Sequence, residues 1–327
     1  MRSRLPTLIA CLIAVIIGCP SSLALADTQT DATSLLNRVY AATQRLSYTG
    51  TFIYQHRNQS ETSRITKIVE GGMIREKLET LDGQPREVVR NGDDVVCYLP
   101  ALATVRVDKY SEQNKFPAVL PAQLKELLEN YDIRRGGMER VAGFDCDVLT
   151  LEPKDNRRYG HKLWVDVQTG MLIKAKTYDG RHEAMEQFTF SHLQIGGAID
   201  RERVRSRFEG KTASWRVEDA AVASADLAQA GWRLRSLPPG FRKILEMTRT
   251  LGGNAGVGHM VLSDGLAAIS VFIETAGQRP SLPELSRQGA INVYVRQLGA
   301  YRITVVGEAP VESVRSIAQA VAYRAPK

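Results

Sequence analysis

Cysteine is scarce in this chain of 327 residues, and its scarcity excludes several chemistries. Of four cysteines, Cys11 and Cys19 lie in an apolar N-terminal stretch, which leaves Cys97 and Cys146. Two cysteines cannot make a zinc site alone, and there is no Cys-x-x-Cys pair. The five histidines stand at 56, 161, 182, 192 and 259, with no His-x-His or His-x-x-x-His among them. Each reads as a scattered core or surface histidine. There is no Walker loop and no Gly-x-Gly-x-x-Gly. The chain therefore shows no catalytic constellation, and no metal or cofactor is expected.

Long apolar runs are missing too, except at the start. Arg2 and Arg4 precede "LIACLIAVIIG", and "Ala-Leu-Ala" at 24–26 supplies a small-x-small cleavage site. That is a secretory leader, too short to span a bilayer comfortably. "Ile-Ile-Gly-Cys" at 16–19 also resembles a lipoprotein box, but Pro20 follows the cysteine and the better site lies downstream. Residues 1–26 are expected to be removed, and the remaining chain to work in a bacterial periplasm. That compartment permits a disulfide. Cys97 and Cys146 sit in strand-like runs of one domain, so a bridge and two buried thiols both stay open.

Charge is uneven. Residues 27–228 carry 29 Lys/Arg against 30 Asp/Glu, whereas residues 229–327 carry 12 against 6. The positive excess of the exported chain lies in its last hundred residues. Such an excess speaks about partners and not about fold.

Periodicity divides the chain. Leu35, Leu36, Val39 and Leu46 fall at helical spacing within 30–46. From Tyr48 the period becomes two, and Tyr48, Gly50, Phe52, Tyr54 and His56 share a face. Strand-like runs follow near 63–70, 73–80, 86–90, 94–99 and 103–108, broken by Gly-Gly, Asp-Gly and Asn-Gly-Asp. "FPAVLPAQLKELLENY" puts Leu124, Leu127 and Leu128 on a helical stripe. Strands return near 145–152, 161–167, 171–178 and 184–195. This predicts a strongly curved antiparallel sheet wrapped on helices, over residues 27–205. Residues 206–228, charged and then rich in Ala and Ser, read as a linker. Residues 229–327 predict a smaller antiparallel sheet, with strands near 241–249, 258–262, 266–274, 290–297 and 301–307. A helix opened by Pro310 closes it. The fold class is α+β.

Two stretches need a decision. "Val-Leu-Ser-Asp-Gly-Leu" at 261–266 raises Ser263 as a nucleophile. A nucleophile elbow needs Gly-x-Ser-x-Gly before a helix, whereas here Asp-Gly joins two apolar runs, so a hairpin turn is predicted. "Leu-Gly-Gly-Asn-Ala-Gly-Val-Gly" at 251–258 joins two strands and is read as a mobile loop rather than a phosphate cradle.

The apolar face of the meander is the candidate site. Tyr48, Phe52, Tyr54, Ile65, Ile74, Leu78, Val89, Val96 and Leu99, with Leu124 and Leu128 of the helix, would line a groove for an acyl chain if the sheet is only partly filled. They would form a packed core if it is filled, and periodicity cannot separate the two. "RRYGHK" at 157–162 reads as solvated surface, with lipid phosphate as the other use.

The order of several strings carries a resemblance. "LSYTGTFIY", "REVVRNGDDVVCYLP", "HKLWVDVQTGMLIKAKTYD", "LPPGF", "LSDGLAAISVFIE" and "ITVVGEAP" follow the leader over nearly the whole exported chain. In this the chain resembles the MucB/RseB family of periplasmic negative regulators of the envelope-stress sigma factor. Cys97 and the glycine stretch at 251–258 depart from the family's pattern. The resemblance implies that the larger domain is an open β-barrel of the LolA/LolB lipoprotein-carrier type with plugging helices. It implies that the smaller domain helps bind the periplasmic part of a membrane-spanning anti-sigma factor of the RseA/MucA type. Binding would shield that factor from proteolysis, and a lipid or lipopolysaccharide fragment would release it. It brings no catalytic residues. Arg233, Arg235, Arg242, Lys243 and Arg249 are the candidate partner-binding residues; solvated surface and anionic headgroups are the other readings of that charge. Nucleic acid is not a partner in a periplasm, and self-association stays open. A lipid carrier without a regulatory partner is the alternative, and the second, basic domain counts against it.

Overall fold

A computed structural model describes residues 23–56, 58–109, 124–219, 222–251, 253–277 and 283–325. The alternation of the sequence becomes a twelve-stranded sheet. Helix α1 (Leu23–Arg45) leads into β1 (Tyr48–His56), β2 (Gln59–Glu70), β3 (Met73–Thr80), β4 (Glu87–Asn91), β5 (Asp94–Leu99) and β6 (Thr104–Lys109). After α2 (Leu124–Asn130) come β7 (Tyr131–Val141), β8 (Phe144–Pro153), β9 (Gly160–Asp166), β10 (Leu172–Tyr178) and β11 (Ala184–Ile195). The first strand pairs with the last of these, so two antiparallel meanders join at β1 and β11. At the far edge β12 (Arg216–Asp219) adds in parallel to β6. The sheet is curved but not closed: β7 ends it on the other side, paired to β8.

Helix α1 is the plug. Ala32, Leu35, Leu36 and Val39 are at most 4% exposed and meet Tyr48, Phe52, Ile65, Leu149 and Phe190 in one apolar core. Each such leucine stabilises the fold by about 1.5–3 kcal/mol. Arg135 of β7 ties the helix to the sheet by pairing with Asp31 and with the buried Asp147, each at 2.8 Å.

The smaller domain is a seven-stranded sheet. It contains β13 (Val222–Ser224), β15 (Arg242–Leu251), β16 (Asn254–Ser263), β17 (Ala268–Thr275), β18 (Glu284–Gln288), β19 (Ile291–Leu298) and β20 (Tyr301–Gly307), in the order 13-15-16-17-20-19-18. Val314, Ile317 and Ala318 of α3 (Val311–Ala320) are fully buried with Ile269, Val271, Ile303 and Val305 of this sheet. A separate ribbon pairs β14 (Trp232–Leu234) with β21 (Val321–Tyr323).

The α+β expectation holds, and most expected strands fall within a few residues of those observed. Four points differ. β7, β18 and the three-residue strands β13, β14 and β21 were not expected: "YDIRRGGMERV" and "ELSRQ" lack alternation because both lie at sheet edges and are largely exposed, and the other three are too short to show a period. The stretch at 251–258 is not a mobile loop: β15 runs to Leu251 and β16 starts at Asn254, and Gly258 packs under Leu227. α1 begins at Leu23 and so runs through the expected cleavage position, while residues 1–22 lie outside the described residues. α2 is described only from Leu124, whose side chain lies outside the described part. No helix among the described residues is long and apolar enough to cross a membrane.

The bridge between Cys97 and Cys146 is not formed, and both thiols are free. Cys97 is on β5 and Cys146 on β8, the third and eleventh strands of the sheet order. Eight strand spacings of about 4.8 Å along an open sheet keep them apart. Burial pushes the Cys146 thiol up to about 11 and raises Cys97 as well. Residues 27–327 should therefore show two titratable thiols after denaturation without reductant, and Cys146 should react slowly in the native protein. A single-step absence of both thiols in the denatured chain would mean that a bridge forms after all.

Candidate functional site: the curved sheet and the joint between the domains

Register decides which side chains share a face, because directly opposed residues of an antiparallel ladder point the same way. Gly50, Ile65, Leu78, Val88 and Cys97 form one such row across β1 to β5. Tyr48, Phe52, Tyr54, Ile65, Ile74, Leu78 and Leu99 lie on this face, which α1 covers. Val89 and Val96 oppose each other on the other face, with Lys77 and Thr66. The chain returns across that outer face after β11. Ser206 donates to Glu87 at 2.6 Å, Arg207 pairs with Glu87 at 3.1 Å, and Phe208 packs on Tyr98. The stretch read as a linker is thus laid against the large sheet as far as β12, and from β13 it joins the small sheet.

The covered face has two halves. Around β1 and β11 it is full: Phe52, Phe188 and Phe190 meet edge to face, with centroids 5.9–6.4 Å apart. Tyr48, Phe52 and Ile65 belong to this packed core, and Leu128 packs against it. Around β3 to β5 the side chains, Ile74, Leu78 and Leu99 included, are only half-buried. There a cavity of about 460 Å³ opens, with a mixed wall in which Leu99, Ala101 and Leu102 stand beside Ser60, Glu61, Thr80, Asp82 and Arg86. Its size suits a small ligand. Deeper on this face, burial raises the Glu76 carboxyl, with Lys67 and then Arg90 opposing.

The second feature is the joint between the domains. Arg158, at the end of the β8–β9 turn, donates from Nε to Asp264 Oδ2 at 2.7 Å; the two side chains are 1% and 0% exposed. Asp264 sits in the β16–β17 hairpin, where its other oxygen accepts from the backbone N–H groups of Leu266 and Ala267. Tyr131 reaches the same carboxylate and Asn130 donates to its backbone carbonyl. Arg158 also donates to Pro239 O at 2.7 Å, and Gly240 turns there with positive φ, at a place where a Cβ would in addition strike Asn130 and Arg158. Around this centre Ser313 donates to Arg157 O, Asn292 to the Tyr159 hydroxyl, and Arg249 pairs with Asp108 at 2.7 Å. Tyr54 donates to Glu186, which also accepts from Ala290 N.

Ser263 is a turn residue, as its sequence predicts: its hydroxyl accepts from Gly265 N and strands flank the loop. The reading of "RRYGHK" as solvated surface fails at Arg158, which is buried in the joint. Sequence reasoning passed over this pair because each half looks like an ordinary turn. The five candidate partner-binding residues split. Arg249 is engaged with Asp108, Lys243 pairs with Glu246 at 2.6 Å, and Arg242 has a contact of its own. Arg233 and Arg235 are exposed.

An open, half-filled curved sheet locked to a basic sheet domain is the build of a two-domain binding protein. Residues 31–208 match the MucB/RseB N-terminal domain and residues 226–322 the MucB/RseB C-terminal domain, and the chain belongs to the MucB/RseB family. The sigma factor AlgU regulatory protein MucB of Pseudomonas aeruginosa is 32% identical over 89% of this chain and 90% of that protein. The sigma-E factor regulatory protein RseB of Haemophilus influenzae is 27% identical over 93% of this chain and 95% of that one. A crystal structure of MucB in complex with MucA(peri) superposes with a TM-score of 0.70, at 29% identity, over 90% of this chain and 100% of that chain. These relatives are regulatory proteins.

Two predictions follow from the joint. Removing one partner of a buried ion pair strands the other charge, so Asp264→Ala should cost about 3–5 kcal/mol in urea unfolding. Adding Arg158→Met should recover part of that loss; additive single effects would show that the two are not coupled.

The second concerns His161, which burial pushes down to about 4, with Asp264 opposing. The unfolded chain takes up a proton below about pH 6.5 that the native state refuses. The stabilisation from neutral His161 is therefore complete above that pH and is lost as pH falls toward 4. Glu308 works the other way: lost hydration and then Glu186 push it up to about 7, so its contribution is complete at low pH and lost as pH rises through 7. Comparing His161→Gln with the unaltered protein isolates the histidine. The variant should lose roughly 2–3 kcal/mol less between pH 7 and 4, and parallel curves would refute the assignment.

Proposed function

We propose that this protein is a periplasmic regulator that binds the periplasmic region of a membrane-spanning anti-sigma factor. Bound, it shields that factor from proteolysis and keeps the envelope-stress sigma factor inactive. A lipid or lipopolysaccharide fragment entering the half-filled side of the large sheet releases it. The observation that carries this reading is the likeness, over nine-tenths of the chain, to a MucB solved together with MucA(peri). The cavity beside Leu99 supports the ligand step, because its mixed wall offers apolar contact at Leu99 and Leu102 beside the charged Arg86 and suits a small amphipathic ligand. A lipid carrier without a regulatory partner is the second reading, favoured by the same cavity. The polar lock between the domains favours the regulator, since a carrier has no use for a second domain held in place.

Immobilised residues 27–327 should capture a membrane-spanning protein with an acidic or amphipathic periplasmic segment from a detergent extract, and an acylated glycolipid should elute it. Leu99→Asp should still capture it but resist elution. Phe52→Asp is unsuited to the test, because it places a charge in the filled core. Recovery of acylated lipoproteins alone would establish the carrier reading instead.

A further inference from the structure

The β14–β21 ribbon has one face turned into the small domain and one turned out. Trp232 and Val321 are buried, Leu234 packs against the same core, and Trp232 meets Tyr301 edge to face and Tyr323 at a tilt. The ladder opposes Arg233 to Ala322 and extends by Arg235 N–H to Ala320 O and Arg324 N–H to Gly231 O. Alternation then puts Arg233, Arg235 and Arg324 on the outward face, opposite Ala322, Ala320 and Gly231. All three arginines are exposed, and none has an ion-pair partner among the described residues. Neither strand contains an acidic residue. Behind them Arg296 is spent on the end of α3, donating to Ala318 O at 2.7 Å and Val321 O at 2.6 Å. Arg235 adds its charge there, as a cause secondary to burial in holding Arg296 below its ordinary value.

This differs from ordinary solvated charge. Elsewhere in the small domain the described basic side chains have contacts of their own: Lys243 closes on Glu246, Arg249 on Asp108 and Arg302 on Glu274, while Arg287 donates to Gly289 O and Arg315 lies over the Tyr294 ring. Here small residues leave the backbone low between three uncompensated guanidiniums. Arg233 and Arg235 stand two residues apart on a strand, about 6.5–7 Å. That is the spacing of alternate side chains on an extended peptide. A guanidinium also takes a carboxylate in a bidentate grip.

We propose that the outer face of the β14–β21 ribbon docks an extended acidic peptide, with carboxylates at alternate positions meeting Arg233 and Arg235 and a further one meeting Arg324. A protein segment is favoured over a bilayer because the face offers no large apolar side chain for insertion. Tyr323, the exposed large hydrophobic of the ribbon, belongs to its other side. The proposal refines where a partner lies and rests on the regulatory reading only for the identity of that peptide.

The test uses residues 27–327 and a fluorescent peptide of alternating Glu and Ser, titrated at low and high salt. Arg233→Glu, Arg235→Glu and Arg324→Glu together should weaken binding roughly tenfold at low salt. Lys243→Glu, whose amine is already paired, should leave it unchanged. The exposed positions should keep the melting temperature; if it falls, glutamine replacements at the same three sites serve instead. Equal binding by the triple variant overturns the proposal, as does no binding by the unaltered protein. Tighter binding to phosphatidylglycerol vesicles than to the peptide also overturns it and makes the face a membrane contact. Undiminished capture of the membrane partner by the triple variant removes this surface and leaves the regulatory reading standing.

Discussion

The contact on which the molecule depends is the ion pair between Arg158 and Asp264. Two charges leave water there, and the desolvation cost is met only because every polar atom of the pair is used. Asp264 holds its own hairpin with one oxygen and the other domain with the second. Arg158 spreads over Asp264, Asp155 and Pro239 O. Such a centre adds little stability over an apolar one of equal volume. What it adds is direction: only one approach of the two domains satisfies the fork of the guanidinium and the carbonyl beside Gly240. The two sheets are therefore held in one relative position by polar geometry instead of by a greasy contact that could slide.

The joint also touches the interior of the large sheet. Tyr131 belongs to the packed core with its ring and reaches Asp264 with its hydroxyl. Tyr54 packs against the same core and donates to Glu186, which in turn accepts from Ala290 of the small domain. Two tyrosines thus connect the apolar face to the lock. A ligand that only filled the cavity beside Leu99 would meet half-buried side chains. One long enough to reach β1 would press on Tyr54, and so on the joint. This gives a physical route by which occupancy of one domain can bear on what the other domain holds.

The fold was largely legible in the sequence because its signals are local. Alternation marks β1 to β6 and β8 to β11, and Asp-Gly marks the β16–β17 hairpin, each within a few residues. The edges were not legible, since "ELSRQ" has no inward face to alternate with. The face of each strand was partly legible. Val89 and Val96 are apolar and alternate, yet a register set three strands away places them on the outer side. The joint was not legible at all. Arg158 and Asp264 are 106 residues apart, and each reads correctly as part of a turn. Only the folded chain shows that the two turns are one structure.

The distribution of charge takes its meaning from that structure. The small domain's excess of positive charge is a property of composition, and composition alone cannot say where it is spent. Arg249 is consumed by the joint, Arg296 by the end of a helix, and Arg302 and Lys243 by neighbours on their own sheet. Arg287 is held at Gly289 O and Arg315 over the Tyr294 ring, and the arginines left without such a contact among the described residues gather on one thin ribbon whose other face is anchored by Trp232. Coulomb attraction at such a surface is screened within about 8–10 Å at ordinary salt. It therefore governs how fast and in which orientation a partner arrives more than how tightly it stays. Tight holding has to come from apolar contact elsewhere. The release by a lipid proposed above is well served by that division, because steering can be kept while the apolar hold is withdrawn.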